Sequence, residues 1–270
     1  MTATQDSPPP PDRSNPVAVK GPVRHRFYCP SLASLALTSA SGDGCDQLID
    51  LDPEQSHHAR RVLKMAEGEA VELFDGQGSV GLGALDRGHA VCVDCVQRVP
   101  RPLPTVDVAT AWPKGPRADS MISVLSQLGA NRVIPLRTAR SVVHPGESRR
   151  QRYEKLAIES AKQCRRSHLM RIAKVTELDA VMSGAAGVRL MAGPGSVGQT
   201  PSPAPPFDDA ANVLILVGPE GGWSDHEKTL GLRLGFKPWV LGPHVMRIET
   251  AAAAAVAIVR YHAHQTQSAL

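Results

Sequence analysis

The chain predicts a parallel α/β domain preceded by a small β-barrel, and three observations carry that reading. Strand-like and helix-like patterns alternate from Val106 to the end, the order that builds a parallel sheet with helices on its faces. The first third instead holds short runs of β-branched and apolar residues separated by turn residues. Finally, Val217-Gly218-Pro219-Glu220-Gly221-Gly222-Trp223 and Leu241-Gly242-Pro243-His244-Val245-Met246-Arg247-Ile248-Glu249-Thr250-Ala251 each follow a short apolar run and lead into a helical pattern. Glycines at a strand exit let backbone groups approach a ligand closely. Two such loops point to one cleft at the carboxyl edge of the sheet.

Residues 1–23 are rich in Pro, Ser and Asp, with Pro8 to Pro11 consecutive, and read as a flexible extension without the apolar stretch of a signal peptide. From Arg26 to Arg98 the pattern is β-like. Val71 to Phe74 runs into the turn Asp75-Gly76-Gln77-Gly78, then Val80 to Leu85 and Ala90 to Val96, with a helical turn near Pro53 to Val62. Gly76-x-Gly78-x-x-Gly81 matches the dinucleotide fingerprint in letters only, because more strand follows it and no helix; it reads as a hairpin turn. Cys92 and Cys95 lie in a strand pattern, where residues three apart face opposite sides and cannot share a metal. Five cysteines, an odd number, predict reduced thiols and a cytoplasmic protein. His57-His58 does not make a metal site either, so no metal is expected.

The proline-bearing stretch Arg98 to Pro104 joins the halves, giving an extension at 1–23, a barrel at 24–99 and an α/β domain at 100–270. Strands are expected at Val106–Ala111, Arg132–Leu136, Met170–Val175, Val188–Met191, Val213–Val217 and Lys237–Leu241. Helices are expected at Arg117–Leu128 (stopped by Gly129), Ser148–Arg165, Glu177–Met182, Ser224–Leu234 and Glu249–His264. Gly193 to Pro206 reads as a Pro/Gly/Ser surface insertion. The longest apolar run, Ala251 to Val259, is too short to span a bilayer, so no membrane role is expected.

Net charge is +4, but it is unevenly placed. Arg137 to Arg171 holds ten Lys/Arg against three Asp/Glu, and the other residues hold 20 basic against 23 acidic. A localised basic segment is the footprint of a phosphate-backbone binder, or equally a solvated helix face. In the first glycine loop, Ser224-x-x-Glu227 is a capping box for the helix that follows. The loop itself is either a tight strand–helix turn or a backbone cradle for a nucleotide-like cofactor. Glu220 has no cation nearby in sequence and either orders the loop or faces the ligand. Leu241, Gly242, Val245 and Met246 suit an adenine slot. Arg247 could stabilise developing negative charge, bind target phosphate, or pair with Glu249 at the helix start. His244 stands out for nothing, and no residue declares itself a general base.

These segments resemble the C-terminal signature of the RsmE-type small-subunit (16S) ribosomal RNA uracil-N3 methyltransferases, which belong to the SPOUT class. Further points of resemblance are Arg24-His25-Arg26-Phe27-Tyr28, His57 to Lys64, Lys114-Gly115, Arg140-Ser141-Val142-Val143 and Glu159 to Ser167. The resemblance runs from Arg24 to the end. Position 248 departs from it: an isoleucine stands where the family has threonine. The resemblance implies a trefoil-knotted sheet domain behind a PUA-like RNA-binding barrel, and a homodimer. Its expected reaction is methyl transfer from S-adenosylmethionine to N3 of a uridine of small-subunit ribosomal RNA, near the decoding region. It implies cofactor contacts from Leu190, Leu216, Gly218, Glu220, Gly221, Leu241, Gly242, Val245 and Met246, with Arg247 and Glu249 catalytic. RNA would lie along Arg24, Arg26, His57, Arg61, Lys64, Lys114, Lys162, Gln163, Arg165 and Arg166. Other readings stay open: another RNA or base position, a non-catalytic RNA-binding ribosome-assembly factor, and a nicotinamide dehydrogenase, which the missing fingerprint disfavours.

Overall fold

A computed structural model describes residues 20–35, 47–86, 90–193 and 212–268. The Pro-rich extension up to residue 19 and nearly all of the expected 193–206 insertion lie outside the described residues. The chain divides into two compact units, one ending at Val99 and one starting at Pro100.

The first unit is a five-stranded sheet in the order β1-β3-β4-β5-β2. Its strands are β1 (Lys20–Tyr28), β2 (Gln47–Asp50), β3 (Glu69–Phe74), β4 (Ser79–Leu85) and β5 (Ala90–Arg98). β1 begins at Lys20, so the strand takes in four residues assigned above to the extension; its pairing with β3 shifts register between Lys20 and His25. Alternation sends Phe27, Val71, Leu73, Leu85, Val91 and Val93 into one apolar core. The glycine triplet is a hairpin turn, as expected: Gly76 and Gly78 have positive φ of 75° and 111°, and Asp75 Oδ1 accepts from the N–H groups of Gln77 and Ser79. At Gly83 a Cβ would stand 2.0 Å from the Cys92 carbonyl oxygen, so only glycine fits beside the irregularity in the β4–β5 ladder. Asp52 caps the short helix α1 (Pro53–His57), which runs into a single wider turn over His58–Val62. Cys29, Cys95 and Cys164 are free thiols, whereas Cys92 is disulfide-bonded, a departure from the expected reduced set.

In the second unit the strands are β6 (Thr105–Thr110), β7 (Arg132–Arg137), β8 (Arg171–Ile172), β9 (Thr176–Glu177), β10 (Val188–Gly193), β11 (Asn212–Val217) and β12 (Lys237–Val240). They form one parallel sheet, β12-β10-β11-β6-β7-β8, with β9 also on β7. Of the expected strand Met170–Val175 only the two residues of β8 form, and the short β9 follows it at Thr176–Glu177. The helices are α2 (Pro116–Gln127), α3 (Glu147–Cys164), α4 (Leu178–Ser183), α5 (Asp225–Arg233) and α6 (Ile248–Ser268).

Every second residue of β11 faces one of two cores. Val213, Ile215 and Val217 join the layer under α2, α3 and α6, and Leu214 and Leu216 join the layer with α4, Trp223 and Phe236. Along α6, Ala252, Ala255, Val256 and Val259 are fully buried, a stripe at helical spacing. The small alanines let α6 lie against β6, β11 and α2. α2 ends on Gly129, at φ 85°, with Gly129 N–H bonded to Ser126 O and Ala130 N–H to Leu125 O, the paired closure that a left-handed glycine permits. The chain leaves β11 in mid-sheet, runs through α5 to the edge strand β12, and returns as α6 against β11 and β6.

Candidate active site

The exits of β10, β11 and β12 converge on an open cleft of about 650 Å³, counting space shared with solvent. Val217, Trp223, Leu241, Val245, Met246, Ile248 and Ala251 give it apolar walls; Gly218, Glu220, Gly222, Gly242 and His244 add backbone and polar groups. Both glycine loops therefore meet in one cleft, as their sequence implied.

The loops' own packing also calls for glycine. A Cβ on Gly218 would stand 2.9 Å from the Trp223 indole, and one on Gly242 would stand 3.1 Å from Met246 Cε. At Gly221 it would meet Arg140 Cδ at 3.3 Å, while Gly222 has a positive φ of 69°. The protein's own packing on the side away from the open cleft thus leaves no room for a side chain at Gly218 or Gly242. Trp223 folds back beneath Gly218 and donates from Nε1 to the Ala192 carbonyl at the end of β10, at 2.8 Å. Gly222 N–H closes a turn onto Pro219 O at 2.8 Å. The capping box at Ser224 is complete: Ser224 Oγ accepts from Glu227 N–H, and Glu227 Oε2 accepts from Ser224 N–H at 2.7 Å.

Sequence reasoning missed Arg117, the second residue of α2. Its Nη1 lies 3.9 Å from Glu220 Oε1 and 3.9 Å from Glu249 Oε1, so one guanidinium spans the β11 loop and the first turn of α6. This is the cation that Glu220 lacked locally, about a hundred residues away in sequence; no local pattern could have paired them. Glu249 pairs with Arg117, not with Arg247, and its second oxygen is buried without a hydrogen-bond partner. Arg247 caps α6 through its carbonyl, which accepts from Ala251 N–H at 2.8 Å, and its side chain is exposed beside the cleft.

Several expected contacts are placed elsewhere. Leu190 and Leu216 are buried in the two cores, one on each face of the sheet, so strand alternation turns both side chains away from the cleft. Gly221 borders Arg140 rather than the cleft. His244, which stood out for nothing in sequence, lines the cleft, as do Ala192, Gly193, Ile248 and Ala251, none of which was among the expected cofactor contacts.

Among the expected RNA contacts, Arg24, His57, Arg61, Lys64, Lys114, Gln163 and Arg165 are exposed. Arg26 is not: it is 6% exposed, lies 2.6 Å from Glu72 Oε1 and packs over the Phe74 ring. Arg166 is also turned inward, donating to the carbonyls of His168, Ser126 and Ala130, and burial lowers its pKa to about 10. Lys162 is mostly covered and bonded to Glu159. Arg137 pairs with Glu177, Arg150 with Glu147 and Glu154, and Arg152 with Asp119. Much of the basic segment is thus answered within the unit, so its formal charge overstates what it offers a partner. Among the described residues no group of three or more His, Cys, Asp or Glu could hold a metal, and no helix is long and apolar enough to cross a membrane.

The comparison that decides the family is a match of residues 100–260 to the RNA methyltransferase domain. The chain belongs to the RNA methyltransferase family. Residues 51–95 match the RNA methyltransferase PUA domain. Among curated relatives, the ribosomal RNA small subunit methyltransferase E of Synechocystis is 29% identical over 87% of this chain and 80% of its own length. The protein of the same name from Bacillus subtilis is 25% identical over 77% of this chain and 88% of its own. A putative methyltransferase from Legionella pneumophila, solved with bound S-adenosylmethionine, superposes with a TM-score of 0.71 at 28% identity, over 88% of this chain and 98% of its own. The ribosomal RNA small subunit methyltransferase E of Neisseria gonorrhoeae has the same fold, with a TM-score of 0.72 at 21% identity over 88% of this chain and 97% of its own.

Proposed function

We propose that the protein transfers a methyl group from S-adenosylmethionine to N3 of a uridine in small-subunit ribosomal RNA, as a cytoplasmic homodimer. The observation that carries this reading is the cleft at Gly218–Trp223 and Leu241–Met246 in a chain of the RNA methyltransferase family. Its residues fit the cofactor: apolar side chains from Val217, Leu241, Val245 and Met246 suit an adenine face, and the Glu220 carboxylate at the cleft suits a cationic sulfonium. S-adenosylmethionine supplies a methyl group already activated on sulfur. The chain's task is to hold the target nitrogen in line and ease loss of its proton.

The imide N3–H of uracil lies between two carbonyls, and its nitrogen is a poor nucleophile until that proton leaves. Arg247, exposed at the cleft's edge, is suited to face a ring carbonyl and stabilise the developing negative charge. Glu249, held through one oxygen by Arg117, orders the start of α6 next to it. The first unit, with exposed Arg24, His57, Arg61 and Lys64, supplies a second RNA-binding surface. The trefoil and the homodimer belong to this same proposal; the long α6, with Tyr261 exposed, gives a second copy a surface to pack on. The test is transfer of labelled methyl from S-adenosylmethionine to small subunits lacking modifications, followed by nucleoside analysis. A 3-methyluridine peak is expected; a methylated nucleoside of another kind redirects the target, and no transfer at all overturns the reading.

A further inference from the structure

Arg140 reads in sequence as one more cation of the basic segment, but its bonds point the other way. Its Nη1 donates to the Gly221 carbonyl at 2.6 Å. The stem of the same side chain lies against the Gly221 α-carbon, with Cδ 3.3 Å and Cβ 3.5 Å from where a Cβ would stand. The preceding residue, Ala139, donates its N–H to Glu227 Oε1 at 2.8 Å, using the capping-box oxygen that Ser224 leaves over. Glu227 is 5% exposed, so this charge-assisted bond is poorly screened. Thr138 and Ser141 close the segment on itself, with Thr138 N–H donating to Ser141 Oγ and that hydroxyl donating to Thr138 O. The segment that leaves β7 is thereby fastened to the loop that leaves β11, although β6 stands between the two strands.

We propose that Arg140 is a positioning residue of the cofactor cleft, a brace that sets the Pro219–Gly222 turn, and not part of the RNA track. A turn with adjacent glycines can adopt many peptide orientations, and its own Gly222–Pro219 bond leaves the Gly221 carbonyl to be fixed by an outside partner. Arg140 supplies that partner by fixing the Gly221 carbonyl, and the neighbouring Pro219, Glu220 and Gly222 line the cleft in the resulting shape. Preorganising the turn removes an ordering cost that ligand binding would otherwise bear.

This inference rests on the cleft taking S-adenosylmethionine, so two readouts are needed, one of them independent of ligand. In the full chain without ligand, Arg140→Ala should speed hydrogen exchange of the Gly222 amide, which is bonded to Pro219 O in this turn. Unchanged exchange overturns the proposal even if no cofactor binds. By calorimetry, wild type should bind S-adenosylmethionine and Arg140→Ala should bind it roughly 5- to 10-fold more weakly, the loss of one charge-assisted hydrogen bond. Transfer at saturating cofactor should stay within about twofold of wild type, so that KM moves and kcat does not. Arg140→Lys should recover part of the affinity, since an ammonium can reach the same carbonyl. Weaker RNA binding with unaltered cofactor affinity makes Arg140 a phosphate contact and overturns the assignment. Failure of the wild type to bind cofactor, with exchange still accelerated in the variant, sinks the cofactor reading and keeps the brace.

Discussion

Between Gly218 and Trp223 the chain is held from outside at three points, by Trp223 on Ala192, Arg140 on Gly221 and Arg117 near Glu220. Between Gly242 and Arg247, among the described residues, no side-chain hydrogen bond or ion pair does the same, and Val245 is 84% exposed. One cleft therefore has a fixed wall and a free one. A fixed wall suits a ligand common to every turnover, because its shape is set before binding. The free wall keeps apolar Val245 and Met246 toward the cofactor, and its exposed His244 and Arg247 suit the macromolecular side of the reaction, where a partner's arrival completes the packing.

The contrast breaks most readily at Trp223. Trp223→Ala empties a buried site and should cost about 3–5 kcal/mol of stability, read from denaturant midpoints, together with cofactor affinity. A near-neutral result would mean that the fixed wall is not held by its floor. The free wall should respond in the opposite way. Arg247→Ala should leave thermal stability and cofactor affinity almost unchanged, while single-turnover methyl transfer falls by about 10²–10³-fold. A melting temperature lowered as much as in Trp223→Ala would erase the difference between the walls. Glu227→Gln is a smaller test: an amide cannot accept from both Ala139 and Ser224 in the present geometry, so a loss of about 1–2 kcal/mol is expected.

The smallest expected effect is at His144, in the same segment as Arg140. Desolvation, and then repulsion from Arg137, lower its pKa below 6.5, with Glu177 opposing. The unfolded chain therefore takes a proton that the folded chain resists. The stability contributed by neutral His144 is present above pH 6.5 and declines as pH falls below it, levelling off beneath the folded-state pKa. A pH series of denaturant midpoints should show this slope in wild type and lose it in His144→Gln.

Sequence periodicity located the strands and helices around the cleft well, because β11 and α6 alternate cleanly and the capping box at Ser224 is local. It was weakest where length was insufficient to set a period, as in β8 and β9, of two residues each. The convergence of the two glycine loops was legible, since strand exits of a parallel sheet share one edge. The partners of those loops were not. Arg117, Arg140 and the Ala192 carbonyl reach them from other strand exits, and only the order β10-β11-β6-β7 makes them neighbours. Charge counting erred for a related reason: Arg26 and Arg166 score as surface cations by composition, yet Glu72 and three carbonyls hold them inside.

The return of α6 to the middle of the sheet has a kinetic corollary. Arg260 donates to Pro104 O and Gly129 O, bonds that span 156 and 131 residues of chain. Contacts so distant in sequence form late, after large loops have closed. During synthesis the free wall and its arginine emerge after β6, β7 and their helices, which are by then available to pack. A nascent polypeptide stalled before β12 thus has only the fixed wall, half a cleft waiting for the segment that completes it.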